Sequence, residues 1–442
     1  MNLINGNVRK LYFTYLISAL GSTLMTTVYS TVDMICVGQY AGPVGSASIA
    51  CVNPFWTIMF APGVLLGLGG SIMMSNRRGG NNEDSARKYF TVSTILSLIF
   101  ASLVFLVTHF YRRELLIFFG AEGEVLTASL EYMRAVPFAA PTFTICATLS
   151  TFIRNDGEAF LPTVSTVIGG VVNIFGDIFF VFDFGLGLGI FGAGLATTIG
   201  QIVSFFILIS YFFTKKSTLK FKAPDKIADR LLKISAIGLP AFISEISAGT
   251  VTVIFNKIIM STLSANHLAV YGTVSSALFC LICFYMALGT ALQPIVSANF
   301  GAGRLDRVKS VLRTAIITSL TLGALFTLLT QLFPLQILRL YMDINDEVAK
   351  IGPAILRKYM IAVGFTGVTL VISYHLQSAL KRGASSALSL LRGLILPISF
   401  AFILPLIFGV EAIWFAIPLS ELLTLILALF FIKKAHTGGD LQ

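Results

Sequence analysis

The sequence predicts an all-α polytopic membrane protein with twelve transmembrane helices. They form two six-helix bundles related by a pseudo-twofold axis along the membrane normal. The 442-residue chain is 56% hydrophobic and only 12% charged, whereas a typical soluble domain has about 25% charged residues. Its apolar runs reach about 20 residues, the length at which a helix crosses the hydrocarbon core. The second half of the chain also repeats features of the first half at matching positions.

The apolar runs have the length of helices and differ from the ten-residue alternating segments of a membrane β-barrel. The first run follows Arg9 and Lys10 and lacks a small-residue cleavage site. We therefore expect it to be the first span and not a removed signal peptide. Prolines inside several runs are candidate kink sites. The twelve spans are predicted near residues 12–36, 48–74, 89–110, 126–152, 162–182, 191–213, 234–262, 267–297, 310–332, 350–378, 388–408 and 412–432.

Basic residues alternate between the two sides of the predicted membrane. Most of the 31 lysines and arginines fall in one set of connections, which includes the region 215–233 and Arg392. By the positive-inside rule this set is cytoplasmic, and both termini are cytoplasmic as well. The net charge of +10 therefore follows from topology, and we expect no nucleic-acid partner.

The longest soluble connection, residues 214–230, lies between the sixth and seventh spans. It divides the chain into an amino-terminal bundle (1–213), a cytoplasmic linker (214–233) and a carboxy-terminal bundle (234–442). The halves share a weak repeat, since Ser75, Gly79 and Asp84 match Ser297, Gly301 and Asp306 at one constant offset. Because six crossings return the chain to its starting side, both halves have the same orientation. Such parallel repeats are typical of transporters that alternate access between two bundles.

Two polar residues stand inside the apolar run from Leu161 to Phe182. Asn173 and Asp177 are four residues apart, so a helix places them on one face, one turn from each other. A carboxylate at mid-membrane depth costs about 2.5 kcal/mol or more on insertion scales. We therefore expect Asp177 to face a protein interior or a wet cavity.

Asp33, near the outer end of the first span, is the candidate partner of Asp177; the alternative is an interfacial carboxylate that faces water. Two carboxylates in a desolvated cavity cannot both ionise cheaply, so the pair can hold a proton. It can equally hold a sodium ion, with Asn173 and a hydroxyl or carbonyl oxygen completing the shell. Thr197 or Thr198, after the glycine-rich stretch 185–194, can supply that hydroxyl, although either can also be an ordinary packing residue.

The second half offers weaker candidates. Glu245 follows Pro240 in the seventh span and is either a coupling or substrate-site residue or a glutamate near the cytoplasmic interface. His375, late in the tenth span, fits a hydrogen-bonded packing residue better than a proton relay. Glu421 lies in the body of the last span, and the sequence indicates no partner for it.

The chain lacks the motifs of serine hydrolases, zinc proteases and P-loop nucleotide sites. Cys280 and Cys283 form a C-x-x-C inside an apolar run without a second pair, which favours small core residues over a metal site. We therefore predict that the protein is not an enzyme and needs no cofactor. Any pumping must draw on an ion gradient, worth about 2.3 kcal/mol per charge per 100 mV.

The pattern of these residues resembles the multidrug and toxic compound extrusion (MATE) family, and is closest to its bacterial multidrug-efflux members. The resemblance rests on Asp33 with Gly38, on Gly169-x-x-x-Asn173-x-x-x-Asp177, and on Gly192-Ala193-Gly194-Leu195-Ala196-Thr197. It also includes Arg154-x-x-Gly157, Gly238-x-Pro240 with Glu245, and Gln377, Gly383, Arg392 and Pro397.

This resemblance implies two bundles around a V-shaped cavity and export of organic cations in exchange for protons or sodium. It implies an amino-lobe cation site, for a proton or a sodium ion, at Asp33, Asn173, Asp177 and Thr197. A substrate or carboxy-lobe coupling site would contain Glu245, His375 and Gln377. Some members carry an Asp just before the Leu-Gln dipeptide, where this chain has Ser373-Tyr374-His375. Coupling through Asp33 and Asp177 is therefore favoured over a sodium site in the carboxy lobe.

The resemblance places the protein in the bacterial cytoplasmic membrane, as a monomer in the lipid bilayer with small organic cations as its partners. A flippase for lipid-linked precursors, from the same superfamily, and an exporter of one narrow class of metabolite are the alternatives.

Overall fold

The structure, a computed structural model, describes residues 2–341 and 346–437. Within these residues the chain forms helices and no strand. Short 3-10 segments lie at Tyr211–Phe213 and Val410–Phe415, and a π-helical segment lies at Leu391–Ile395. The α-helices are α1 (Val8–Gly79), α2 (Glu83–Phe110), α3 (Arg112–Phe118), α4 (Gly123–Tyr132), α5 (Val136–Asn155), α6 (Phe160–Val181), α7 (Gly189–Ser210), α8 (Ile227–Thr262), α9 (Ala265–Gly301), α10 (Leu305–Leu332), α11 (Pro334–Tyr341), α12 (Asp346–Met360), α13 (Val363–Ser378), α14 (Arg382–Leu390), α15 (Leu396–Phe408) and α16 (Ala416–Thr437).

The described residues contain 11 helical stretches long and apolar enough to cross a membrane. The first of them, α1, contains both of the first two predicted spans and is divided at Gly42, where φ is 59° and ψ is −142°. Glycine adopts this backbone without strain, and Pro43 beside it cannot donate a helical hydrogen bond. Helical structure therefore covers most of each of the twelve predicted spans, and the predicted fold class is confirmed.

Three predicted spans are interrupted. The fourth is divided between α4 and α5, because Pro137 in the first turn of α5 favours a new helix start. The tenth is divided at Ile361 and Ala362, between α12 and α13. The eleventh contains the π-helical segment, and this segment carries Arg392. Arg392 lies ~15 Å along a membrane-length stretch from Arg382, and its assignment to the cytoplasmic set of basic residues remains a prediction.

Contacts between Cα atoms divide the chain into two compact units. The amino-terminal unit comprises Met1–Gly6, Ile17–Phe242 and Gly301–Gly303, and the carboxy-terminal unit comprises Asn7–Leu16, Ile243–Phe300 and Arg304–Gln442. Each unit therefore includes a short segment from the other half of the sequence. The predicted division into bundles 1–213 and 234–442 with a linker at 214–233 remains a prediction.

Close packing of α6 on α7 positions the polar residues of the amino-terminal unit. A Cβ atom added at Gly169 would lie 2.6 Å from the carbonyl oxygen of Gly200, and one added at Gly176 would lie 2.8 Å from Cβ of Ala196. The two backbones can approach only because these positions lack side chains. Ser165 and Ser204 then join the helices, since each hydroxyl donates to the other residue's carbonyl oxygen, at 2.8 and 3.0 Å.

The linker is fastened to the amino-terminal unit by Asp156, whose side chain is fully buried. Its carboxylate accepts hydrogen bonds from Arg78 Nη1 at 2.6 Å, from the Tyr211 hydroxyl at 2.7 Å and from the Thr218 backbone at 2.9 Å. The Thr218 hydroxyl donates to the same carboxylate. Asp156 lies just after α5, in the turn that Gly157 allows with a φ of 97°. The polar turn that follows the fourth span is thus an anchor for residues far along the chain.

Candidate functional site

The candidate site lies in the amino-terminal unit, where α1, α4, α6 and α7 each contribute one or two polar side chains. The residues are Asp33 from α1, Tyr132 from α4, Asn173 and Asp177 from α6, and Thr197 from α7. All five are buried: Asp33 is 9% exposed and Asp177 is fully buried. The structure therefore brings together the four residues that the resemblance implies, and adds Tyr132.

Tyr132 connects Asp33 to Thr197. Its hydroxyl donates a hydrogen bond to Oδ2 of Asp33 at 2.8 Å and lies 3.4 Å from Oγ1 of Thr197. The ring of Trp56 packs edge-on against the Tyr132 ring, at 6.3 Å between centroids. The phenol is thereby fixed between α1 and α7.

Gly194 explains how the end of α4 reaches this position. A Cβ atom at Gly194 would overlap the carbonyl oxygen of Tyr132. The glycine in the Gly192-Ala193-Gly194 segment therefore lets the backbone of α4 touch α7, one turn before Thr197. The same segment begins α7 with small residues, and its contact with α4 sets the height of the Tyr132 hydroxyl in the site.

Asn173 is held by Thr197, since its amide Nδ2 donates to Thr197 Oγ1 at 3.1 Å. This hydrogen bond fixes which way the amide points and leaves Asn173 Oδ1 without a partner in the described part of the chain. Asp177 follows one helical turn later. It is close enough to Asp33 for the two carboxylates to interact electrostatically.

Four buried oxygens of this cluster have no hydrogen-bond partner among the described residues: Asp33 Oδ1, Asn173 Oδ1 and both carboxylate oxygens of Asp177. Buried polar atoms are almost always hydrogen-bonded, and a buried carboxylate needs a proton or a cation nearby. All four atoms are acceptors and none is a donor when the carboxylates are ionised. The cluster can therefore bind a proton, or a small hard cation that prefers oxygen ligands. The described residues contain no group of three or more His, Cys, Asp or Glu side chains with metal-site geometry.

Thr198, the other candidate hydroxyl, has a different role. Its Oγ1 donates to the carbonyl oxygen of Gly194 at 2.8 Å, within its own helix. The hydroxyl in the cluster is thus that of Thr197, while Thr198 is satisfied by its own backbone.

The candidates of the second half lie in the carboxy-terminal unit. Glu245 is half-buried on α8, while His375 and Gln377 are buried on α13. Their assignment to a substrate or coupling site remains a prediction.

Glu421, for which the sequence indicates no partner, is paired in the structure. It is 5% exposed, and Nε of Arg392 lies 2.8 Å from its Oε1 and 3.1 Å from its Oε2. The two residues are 29 positions apart, on the π-helical segment and on α16. No local spacing rule could have joined them.

The sequence alone also did not indicate that Tyr132 belongs to the site. It stands alone at the end of a short helix, and it reaches the cluster only through the contact of α4 with Gly194. The one available signal is indirect: a glycine pair that precedes a site threonine indicates that another backbone approaches there.

Comparison with known proteins relates the chain to one family of transporters. The profile of the MatE family matches residues 19–179 and 240–403. The Bacillus subtilis protein named probable multidrug resistance protein YoeA is 25% identical over 340 residues, which are 74% of this chain and 72% of that protein. The multidrug export protein MepA of Staphylococcus aureus is 22% identical over 420 residues, 93% of this chain and 90% of that protein.

Solved structures share the fold. An outward-facing multidrug resistance MATE family transporter of the MOP superfamily superposes with a TM-score of 0.89 at 21% identity, over 98% of this chain and 97% of that chain. A MOP superfamily transporter from Pyrococcus furiosus superposes with a TM-score of 0.90, also at 21% identity and with the same coverage.

Proposed function

Because the chain belongs to the MatE family of transporters, we propose that it is a secondary active multidrug exporter. It exchanges organic cations for protons or sodium ions by alternating access. The observation that carries the proposal is the buried pair of carboxylates, Asp33 and Asp177, whose oxygens are left partly without partners among the described residues. The names of the relatives YoeA and MepA support the choice of drug-like substrates.

Each residue of the cluster has a proposed role. Asp33 and Asp177 hold the coupling cation between them, because a bound proton or cation offsets the repulsion and desolvation of two buried carboxylates. Asn173 Oδ1 is directed by the hydrogen bond from its amide to Thr197, and it can add a neutral oxygen ligand. Tyr132 positions Asp33 by its 2.8 Å hydrogen bond.

The proposed cycle needs only competition between substrate and ion. When the transporter faces the cytoplasm, Asp33 and Asp177 are free of the coupling cation and the organic cation binds. When it faces outward, the coupling cation occupies the pair and the organic cation leaves. Each ligand must disfavour the bound state of the other, and the resulting coupling free energy is reciprocal.

Glu245, His375 and Gln377 are proposed to contact the substrate or to tune coupling from the carboxy-terminal unit. The positive-inside pattern supports a cytoplasmic location for both termini. The bacterial relatives YoeA and MepA support the proposal of the bacterial cytoplasmic membrane. We further propose that the transporter acts as a monomer and needs no cofactor beyond its coupling ion.

Ethidium export from proteoliposomes, driven by an imposed pH or sodium gradient, tests the proposal. We expect export by the wild type under one of the two gradients, which identifies the ion, and a loss of at least about tenfold in Asp177→Asn. The matched control is Asp183→Asn, an exposed carboxylate six residues further along, which should export normally. Export that survives in Asp177→Asn would keep the transporter but remove Asp177 from its coupling site.

The alternatives give different results in the same vesicles. A flippase for lipid-linked precursors would move no ethidium under either gradient, although it would fold normally. An exporter of a narrow class of metabolites would also leave the dye in place, but that metabolite would compete with a labelled analogue for gradient-driven transport.

A further inference from the structure

A second buried acidic site lies in the carboxy-terminal unit, at the ion pair of Arg392 and Glu421. Glu421 is 5% exposed and the Arg392 side chain is 16% exposed. Counted along their helices, Arg392 lies ~15 Å beyond Arg382 and Glu421 lies ~20 Å beyond Val410. Both are therefore near the middle of membrane-length stretches, where an ionised side chain is costly and is most often functional.

Packing does not require this pair. An apolar pair of similar volume fills the same space and avoids desolvating two charges, so buried ion pairs are weak contributors to stability. Arg392 also occupies the π-helical segment Leu391–Ile395, an unfavourable backbone form that is found frequently at functional sites. The unusual backbone and the buried charges occur at the same residue.

Two tyrosine side chains interact electrostatically with the Glu421 carboxylate. Tyr359 from α12 and Tyr285 from α9 both lie within electrostatic range of it. Tyr359 meets Tyr271 edge to face, with 6.0 Å between ring centroids, and the Ser275 hydroxyl lies beside both phenols. These hydroxyls can both accept and donate a proton, so two groups able to exchange a proton lie within electrostatic range of the Glu421 carboxylate.

Further aromatic residues lead from Tyr271 toward the start of α9, the end of this helix that is predicted to be extracellular. The Tyr271 ring lies 6.5 Å from the Trp414 ring, and His267 stacks on Trp414 at 6.4 Å with an interplanar angle of 10°. His267 Nε2 lies 3.7 Å from Oε1 of Glu411, whose side chain is 57% exposed. We call this series the tyrosine column: His267, Tyr271, Ser275, Tyr359, Glu411 and Trp414.

From this arrangement we propose that Glu421 is a second proton-binding site of the exporter, loaded through the tyrosine column and opposed by Arg392. This inference rests on the proposed ion-coupled export. A proton from the outer solution binds a carboxylate oxygen of Glu421 and forms a neutral acid, and the ion pair with Arg392 breaks while the guanidinium keeps its charge. When the proton leaves toward the cytoplasm, Arg392 pairs again with the carboxylate.

The site suits a proton better than a sodium ion. Hard metal ions take several oxygen ligands, whereas the guanidinium beside Glu421 would repel any metal ion. The titratable groups near Glu421 are Arg392, Tyr285 and Tyr359. The other titratable groups on the described elements that pack along α16 are Tyr374, His375, Arg382, Glu411 and, on α12, Asp346, Glu347, Lys350, Arg357 and Lys358.

The test replaces the whole ion pair by apolar side chains of similar length. Arg392→Met/Glu421→Met leaves no unpaired charge, and it should therefore fold with an unfolding temperature close to that of the wild type. Proteoliposomes in sodium-free buffer, with the membrane potential clamped to zero, receive a pH gradient of one unit. The measurement is the ethidium concentration ratio at which net flux vanishes. The control is Asp229→Met/Lys233→Met, which removes a partly exposed pair at 2.6 Å on α8.

Each coupled proton is worth about tenfold in that ratio per pH unit. We expect the apolar pair to lower the limiting ratio about tenfold while the control keeps the wild-type ratio. An unchanged ratio in a folded, proton-driven apolar variant would overturn the second site alone. If the ethidium ratio of the wild type does not change with the pH gradient, or changes only with a sodium gradient, the second site is overturned together with proton coupling. If the double variant unfolds, Arg392→Gln/Glu421→Gln, which roughly keeps both shapes and leaves no unpaired charge, decides by the same ratio.

Discussion

The hydroxyl of Tyr132 donates a 2.8 Å hydrogen bond to Oδ2 of Asp33. This contact joins α4 to α1, and both side chains are buried. It leaves Oδ1 of Asp33 without a partner among the described residues, so one oxygen of the carboxylate is fixed and the other is available. A coupling site needs this combination of a positioned ligand and a free acceptor atom.

Removing only the hydroxyl tests this positioning. Tyr132→Phe keeps the ring and its packing against Trp56, but frees Asp33 from its donor. A hydrogen bond to a charged group contributes about 1.5–3 kcal/mol, so we expect ion-driven export to fall by about tenfold or more. Ethidium efflux at a fixed gradient measures the effect.

The control for Tyr132→Phe is Tyr89→Phe, which changes a buried tyrosine that stacks with Arg230 in the same unit. Its export should match that of the wild type. Equal export by Tyr132→Phe, at an unchanged unfolding temperature, would show that Asp33 needs no donor.

Gly194 provides a stability test of the site's construction. Gly194→Ala inserts a Cβ atom against the backbone of Tyr132, and overpacking of this kind costs about 1–3 kcal/mol. We expect a lower unfolding temperature in detergent and weaker export, because α4 must move away from α7. Circular dichroism at rising temperature gives the first quantity.

Gly249→Ala is the matched control, since a Cβ atom there has open space within 4 Å. Alanine is a better helix former than glycine by about 1 kcal/mol, so this variant should be as stable as the wild type or more stable. A Gly194→Ala protein that gains stability in the same way would contradict the close approach of α4 to α7.

The buried contacts of Asp156 predict that Asp156→Asn, which exchanges one oxygen atom for an amide nitrogen, lowers the free energy of unfolding. Asp156→Asn cancels the negative charge that Arg78 pairs with at 2.6 Å, in a side chain that is fully buried. Arg78 keeps Glu83 as a second partner at 2.9 Å, so the expected cost is that of weakened hydrogen bonds to a charged group, about 1.5–3 kcal/mol. Denaturant titration of the purified protein should show this loss of unfolding free energy.

Glu158→Gln is the contrasting variant near the same turn. Its carboxylate lies 3.8 Å from Lys216, whose side chain is 80% exposed, and exposed pairs contribute about 0–1 kcal/mol. Its unfolding curve should overlie that of the wild type. Similar losses in both variants would mean that burial of Asp156 does not set its importance.

Much of this architecture could be predicted from the sequence, and the reasons are physical. A membrane fixes the length of each apolar helix, so the twelve spans follow from hydrophobic length alone. Helical periodicity places Asn173 beside Asp177 because both belong to one helix. The boundaries near α4 and the π-helical segment were not predicted, since they depend on where prolines and tertiary contacts interrupt an apolar run.

Contacts between distant segments account for the rest. Tyr132 reaches Asp33 because Gly194 admits its backbone, and this condition is a property of α7 rather than of α4. Arg392 was assigned to a connection because basic residues near a span's end usually lie in cytoplasmic loops. Its ion pair with Glu421, 29 positions away, depends on the packing of two segments and could not be predicted from sequence spacing.

The linker gives a prediction for acidic pH. The pKa of Asp225 is lowered from its ordinary value to about 2, chiefly because Arg230 donates hydrogen bonds to its carboxylate and also because Lys88 pairs with it. A carboxylate with a lowered folded pKa stabilises the native arrangement above its unfolded value of about 3.9. That stabilisation is lost as the pH falls from about 4 to about 2. Because Asp225 is half exposed, its pairs contribute little free energy, and we expect a modest rise in pepsin cleavage within residues 214–226 across this window.

Asp225→Asn should remove most of this pH dependence and raise cleavage already at pH 4, because Arg230 and Lys88 lose their ionised partner. Lys220→Gln, an exposed change in the same linker, should retain the wild-type profile. The cleavage products can be followed by mass spectrometry, which separates cuts in the linker from cuts elsewhere. A wild-type linker that is cleaved equally at pH 4 and pH 2 would show that the Asp225 contacts do not hold it in place.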